Sequence, residues 1–263
     1  MATYKKRGNK VRKPKKDEVN DIEEIQFDGE STTKEVFDTL DETASKSEKW
    51  LEKNQKIVFT VLGLILVGIL AYVAYFKFIQ APKEIKAADQ LAYAKADFFK
   101  AENATQNIDS LYTIALNGKD NKFGLTDVAE TYSGTKAGNL ANYMAGIAYM
   151  NLGDYKNAVK YLNEFSSDDA VLAPIAKGKL GDAFSDLDQL DDALAYYKEA
   201  AEMSDNSVTT PLYLLKAGNT AMDLGKYDQA VVFFKEIKEK YPNSDEAKRI
   251  DVKINEAKYA SKK

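Results

Sequence analysis

The side chains that most often carry out chemistry are missing from this chain of 263 residues, which has no cysteine and no histidine. Without a thiolate or an imidazole there is no such ligand for zinc, iron or copper and no imidazole general base. What remains is carboxylate, ammonium and hydroxyl, with 41 Asp and Glu against 37 Lys and Arg. An all-carboxylate metal site would be announced by a spaced Asp/Asn/Gly loop of the calcium-binding kind, and none occurs. An enzyme working only with Asp, Glu, Lys or Ser would need a deep pocket holding paired, perturbed carboxylates. The composition therefore predicts no catalysis, no cofactor, no metal and no small-molecule substrate. The formal charge of −4 and the pI near 5.2 also argue against nucleic acid as the partner of the larger domain. A chain without thiols is compatible with an oxidising compartment.

The elements that would position any binding residue are organised around one apolar run, Ile57 to Ile79, in which Lys77 is the single charge. As a helix rising about 1.5 Å per residue, 23 residues reach about 34 Å, enough to cross a hydrocarbon core about 30 Å thick. A core helix of a soluble domain seldom stays apolar around its whole circumference for this length. A secretory signal would lie at the extreme N-terminus, whereas 56 mostly polar residues precede this run. The run reads as a retained single-pass transmembrane anchor, with membrane lipid as a partner. Trp50 before the run and Tyr72, Tyr75, Phe76 and Phe78 at its far end are placed as interfacial aromatics, and Lys77 can snorkel outward. Small residues at four-residue spacing are lacking, since Gly63 and Gly68 stand five apart, so no strong self-dimer through the span is expected.

Residues 1–56 hold 13 Lys and Arg, while the residues after Ile79 hold 23 against 28 Asp and Glu. Short basic loops stay in the cytoplasm and long domains translocate largely regardless of charge, so the N-terminus is expected inside and the C-terminal domain outside. Residues 1–35 read as a disordered arm with a basic block, Lys5 to Lys16, and an acidic block, Asp17 to Glu30. Solvated charge is its plainest reading, and contact of the basic block with anionic lipid or ribosomal RNA is the other. Residues 36–56, with Phe37, Leu40, Ala44, Ser47 and Leu51 at helical spacing, read as a juxtamembrane amphipathic helix.

The second half of the chain repeats. Gly146, Tyr149, Leu152, Gly153, Tyr155, Ala158 and Leu162 recur as Gly181, Phe184, Leu187, Asp188, Leu190, Ala193 and Tyr197, and again as Gly218, Ala221, Leu224, Gly225, Tyr227, Ala230 and Phe234. The copies stand 35 and 37 residues apart. Glycine in mid-helix costs about 1 kcal/mol relative to alanine, so Gly146, Gly181 and Gly218 make sense where another helix packs too close for a side chain. Gly153 and Gly225 suit a left-handed turn, and Tyr155 and Tyr227, replaced by Leu190 in the middle copy, are expected to wedge between the helices. The pattern resembles the tetratricopeptide repeat, with its period of about 34 residues. The fold class expected is all-α: a single N-terminal transmembrane helix at 57–79, degenerate repeat helices over 80–138, a tetratricopeptide-repeat solenoid of three helix pairs over 139–243, and a C-terminal capping helix and tail over 244–263.

A solenoid of helix pairs has one concave face, lined by the first helix of each pair. The resemblance carries the family's groove positions onto Tyr143, Ile147, Met150 and Asn151 in the first copy, Asp182, Ser185 and Asp186 in the second, and Leu215, Asn219, Met222 and Asp223 in the third. Met and Tyr there suit apolar segments, and the acids favour a basic or polar partner. The family's carboxylate clamp is not matched, because Leu215 stands where its lysine would be. The arrangement of arm, anchor and repeats, with the stretches EKWLEKNQKIVFTVLGLILVG and LTDVAETYSGTKAGNLANYMAGIAYMNLGDYKNAVKYL, is similar to the YfgM-like ancillary subunits of the bacterial SecYEG translocon. That resemblance implies a bitopic inner-membrane protein beside the translocon that helps pass emerging chains to a periplasmic chaperone or prolyl isomerase. A scaffold for another envelope or cell-division complex would share the same features.

Overall fold

A computed structural model describes the backbone of residues 32–262 and the side chains of residues 50–262. Both charged blocks of the arm, the contacts expected of them, and the amphipathic face expected over Phe37 to Ser47 lie outside the described residues or side chains. The chain divides into two compact units, residues 1–67 and 68–263.

In the first unit the described residues belong to one helix, α1 (Thr32–Tyr75), interrupted at Asn54, whose φ and ψ of −108° and 15° leave the helical region. The Asn54 side chain donates to the Trp50 carbonyl at 2.8 Å, the local side-chain to backbone bond by which asparagine competes with helix. Beyond this kink Ile57, Phe59, Val61, Leu62, Leu64, Ile65, Leu66 and Val67 are all exposed. This is the one helix among the described residues long and apolar enough to cross a membrane, and none of its apolar window is buried within the protein. Apolar side chains covered by no protein atoms on any side of a helix are what a lipid environment accommodates.

The second unit opens on the remainder of that apolar run, with Ile69, Leu70, Tyr72, Val73, Tyr75, Phe76 and Phe78 exposed. A π-helical turn, Phe76–Gln80, joins it to α2 (Ala81–Glu102), and Tyr75 and Ala81 on either side keep right-handed helical angles. Pro82 explains the widening: it has no N–H to return to the preceding turn, and the Ala81 N–H reaches back five residues to the Phe76 carbonyl. Helix therefore runs from the apolar segment into α2 without a flexible linker. The first turn of α2 is tied down by three contacts. Gln80 donates to the Gly134 carbonyl at 3.0 Å and Lys83 to the Ser133 carbonyl at 2.6 Å. Both Glu84 carboxylate oxygens accept from the Lys136 N–H at 3.1 Å, placing an anion at the N-terminus of the helix that begins at Lys136.

All described elements are helical apart from one isolated bridge between Lys119 and Lys122. After α2 come α3 (Ile108–Asn117) and α4 (Leu125–Thr131), then the pairs α5 (Lys136–Asn151) with α6 (Tyr155–Asn163), α7 (Leu172–Asp186) with α8 (Leu190–Glu202), and α9 (Thr209–Asp223) with α10 (Tyr227–Lys240). A 3₁₀ turn, Glu246–Arg249, leads to α11 (Ile250–Ala260), which buries Ile250, Ile254 and Ala257 and exposes Asp251, Val252, Asn255 and Glu256. Residues Gly118 to Gly124 between α3 and α4 form a tight turn with positive φ at Gly118, Asp120 and Asn121.

The mid-helix glycines are where the pairs close. A Cβ on Gly146 would sit 2.5 Å from Leu162, one on Gly181 2.6 Å from the Tyr197 ring, and one on Gly218 2.2 Å from the Phe234 ring. In each pair the intruding side chain stands at the same offset on the second helix and is buried. The close approach thus falls on Leu162, Tyr197 and Phe234, while Tyr155, Leu190 and Tyr227, expected as wedges, are only half-buried. The turns between paired helices take left-handed φ at Gly153 (72°), Asp188 (59°) and Gly225 (70°). A Cβ there costs about 1–2 kcal/mol in a left-handed helical conformation, with Asp among the residues that tolerate it better. Asp188→Gly should raise the unfolding free energy by up to about 1 kcal/mol, read by chemical denaturation, whereas Gly153→Ala should lower it.

Two hydrophobic clusters fill the unit. One runs through α2–α6 around Leu91, Phe98, Tyr112, Leu116, Val128 and Met144. The other runs through α8–α11 around Leu194, Tyr197, Leu214, Phe233, Phe234 and Ile237. Helix α7 lies between them, burying Ala173, Ala176, Leu180 and Ala183.

Candidate functional site

The first helices α5, α7 and α9 touch one another in series, so they line one common face of the stack. In α5, Tyr143 is half-buried with its ring 5.0 Å from Phe165. Burial, and then the Glu102 charge, hold its phenol above the ordinary tyrosine range. Ile147 and Met150 are half-buried and Asn151 is exposed, its amide donating to the Ile147 carbonyl at 2.9 Å. In α9, Leu215 and Met222 pack against the second cluster while remaining partly open, and Asp223 is exposed. The Asn219 Oδ1 is buried with no hydrogen-bond partner among the described residues.

The α7 segment differs most from a free acidic surface. Asp182 is the centre of a network: it accepts from Tyr197 Oη at 2.9 Å, from Lys179 Nζ at 3.2 Å, and from Lys216 Nζ of the next repeat. Lys216 also lies over the Tyr197 ring, 5.4 Å from its centroid. One carboxylate is therefore shared by two ammonium groups and a phenol, and it links α7 to both α8 and α9. Ser185 is half-buried and Asp186 exposed, so of the two acids expected in this helix one is already engaged and the other is open.

Three groups on this face escape a reading by groove position alone. Lys179 and Lys216 occupy the same offset, two residues before Gly181 and Gly218, and that recurrence is the signal that marks them as a pair. Gly178 is the third: a Cβ there would fall 1.9 Å from the Tyr213 ring. Tyr213 itself stacks with Tyr197, ring centroids 6.5 Å apart. The repeats are joined along this face by aromatic contact as much as by charge.

The loops between repeats form a continuous edge. Asn139 at the start of α5 donates to the Ser166 carbonyl at 2.7 Å and accepts from its N–H at 3.0 Å. Ser204 and Asn206 both donate to the Ala170 carbonyl, at 2.6 and 3.2 Å, and Tyr241 at the end of α10 bonds Asp205. With the Gln80, Lys83 and Glu84 contacts, each inter-repeat loop is bonded to its neighbour from the base of α2 onward.

Among the described residues no three acidic side chains come together in a way that could hold a metal ion. The interfacial residues stand as follows. Trp50 is exposed on α1, Tyr72 and Tyr75 are exposed on the apolar helix, and Lys77 lies 5.9 Å from the Phe78 ring centroid.

Residues 143–208 match one tetratricopeptide-repeat family model and residues 213–244 match another. These helix pairs are tetratricopeptide repeats. No curated protein matches the chain. Repeats of this kind bind protein partners, so the second unit is a protein–protein interaction scaffold attached to a helix long and apolar enough to span a membrane.

The tyrosines that seal the stack make its stability sensitive to alkali. Burial first, and neighbouring carboxylates second, raise the phenols of Tyr161, Tyr197 and Tyr213 well above the ordinary value near 10. Below pH about 10 the phenols are protonated whether the chain is folded or not, and this contribution to stability is complete; above it the unfolded chain ionises first, so stability falls as pH rises. Phenolate absorbance at 295 nm from these three rings should therefore rise together with the loss of helical circular dichroism. A full phenolate signal with the helix intact would contradict their burial.

Proposed function

We propose that this protein is a single-pass inner-membrane scaffold that stands beside the bacterial Sec translocon and holds emerging secretory or outer-membrane polypeptides for a periplasmic chaperone or prolyl isomerase. The observation that carries the reading is the direct helical passage from the apolar segment into α2, whose first turn is bonded to the loop at Ser133–Lys136. A repeat domain whose first helix continues directly from residues 68–79 of the apolar run is suited to receiving chains close to where they leave a membrane pore. The proposed binding residues are Tyr143, Ile147, Met150, Leu215, Asn219 and Met222, with Asp186 and Asp223 as open acids at the edge. Half-buried Met, Leu, Ile and Tyr adapt to many apolar segments, which fits clients of varied sequence. The proposed orientation, N-terminus in the cytoplasm and repeats in the periplasm, rests on the basic content of residues 1–56.

Affinity purification of the tagged full chain in mild detergent, followed by mass spectrometry, tests the reading: translocon subunits should co-purify. Recovery of cell-division or envelope-assembly proteins in their place would favour a scaffold of that other kind. A reporter active in only one compartment, fused after Lys263, should report the outer side.

A further inference from the structure

Helix α2 is apolar on two opposite faces, and the fold uses only one. Ala87, Leu91, Ala94, Phe98 and Ala101 are buried against the first cluster. On the opposite side Ile85, Ala88, Ala92, Ala96 and Phe99 fall in a single stripe and all are exposed, Ile85 by 65% and Phe99 by 45%. A surface helix normally turns charge, not isoleucine and phenylalanine, away from its core.

We propose that this stripe is a self-association surface, on which α2 of a second copy of this chain lies parallel. The proposal rests on the membrane-span reading in one respect: two copies inserted in the same sense in one bilayer present their α2 helices side by side and parallel. Two observations fit a second copy as the occupant. The stripe places alanines at 88, 92 and 96 between Ile85 and Phe99. Two crossed helices are closest at one point and diverge on either side, so small residues at the middle and large ones at the ends suit a pair crossing near Ala92. Its flanks are also complementary to themselves. Asp89 and Lys95, both exposed, lie on opposite sides of the stripe, so a two-fold axis along the pair turns each Asp89 toward the flank carrying its mate's Lys95, offset by about 9 Å along the axis. The turn between α3 and α4 borders the stripe on the Asp89 side, where Lys122 lies over the Tyr93 ring and Lys119 pairs with Asp97, and Ala92 and Ala96 line the cavity between that turn and α2. The association is outside the apolar run, whose glycine spacing does not favour close pairing.

The absence of native cysteine makes the test direct. Single-cysteine variants Ala92→Cys and Lys86→Cys of the full chain are oxidised in native membranes. A disulfide needs Cβ atoms within about 4.5 Å, so residue 92 should yield at least about fivefold more covalent dimer than residue 86, which points off the stripe. The cysteine-free chain in nanodiscs should have twice the protomer mass by light scattering, and Ala92→Glu should return it to one. A monomeric mass, equal cross-linking at 86 and 92, or adducts at 92 only with other proteins would overturn the proposal. Alkaline extraction of the same membranes separates the two readings. A chain that is extracted contradicts the span, and a chain that stays in the membrane without cross-linking at 92 contradicts the pair alone.

Discussion

Gly218→Ala is expected to lower the unfolding free energy of the repeat unit by about 2 kcal/mol, although the same change in an open helix would raise it by about 1 kcal/mol. The added methyl would sit 2.2 Å from the Phe234 ring, far inside van der Waals contact. Phe234 is fully buried between α9 and its neighbours, so the ring cannot swing out and the helices must separate. Overpacking of this kind forces off-rotamer side chains and backbone shifts. Gly63→Ala and Gly68→Ala provide the contrast, because nothing lies within 4 Å of a Cβ at either position. Urea denaturation followed by circular dichroism, with the repeat signal as readout, should show a lowered midpoint for Gly218→Ala and none for the other two. An unchanged midpoint for Gly218→Ala would mean that α9 and α10 are not in contact there.

Asp182→Ala should cost about 2 kcal/mol, less than the 3–5 typical of breaking a fully buried pair, because Lys179 and Lys216 remain about one-third exposed and water screens them. The loss comes from two ammonium groups left facing each other and a Tyr197 hydroxyl left without its acceptor. Lys216→Met should cost less, since the carboxylate keeps Lys179 and Tyr197. The second readout is spectroscopic. Asp182 is one of the groups that raise the Tyr197 phenol, after burial itself, so Asp182→Asn should let that phenol ionise at lower pH than in the parent protein. A phenolate titration indistinguishable from the parent would contradict the bond between α7 and α8.

The repeating glycines were legible because periodicity multiplies a weak signal: Gly146, Gly181 and Gly218 each look like a defect alone and like a packing rule together. The apolar run was legible as one long apolar helix for a similar reason, since apolar character recurs along its length. What the chain does not display is pairing across repeats. Lys216 meets Asp182 from 34 residues away, and Glu84 meets the α5 N-terminus from 52 residues away; neither spacing has a local signature. The wedge expected of Tyr155 and Tyr227 is not where the helices meet most closely, because the close contact comes from seven residues further along the second helix, at Leu162, Tyr197 and Phe234. The position of Asp182 on the lining face is visible in the sequence, and its neutralisation by two lysines is not.

A photoreactive amino acid placed at Met150 or Met222 of the full chain in native membranes tests the central claim most directly, that the lining of α5 and α9 grips other polypeptides. Both positions should give covalent adducts with other polypeptides, and Lys235, exposed on the second helix of the third pair, should give few. Adducts that are equally abundant from Lys235, or absent from both methionine positions, would contradict it.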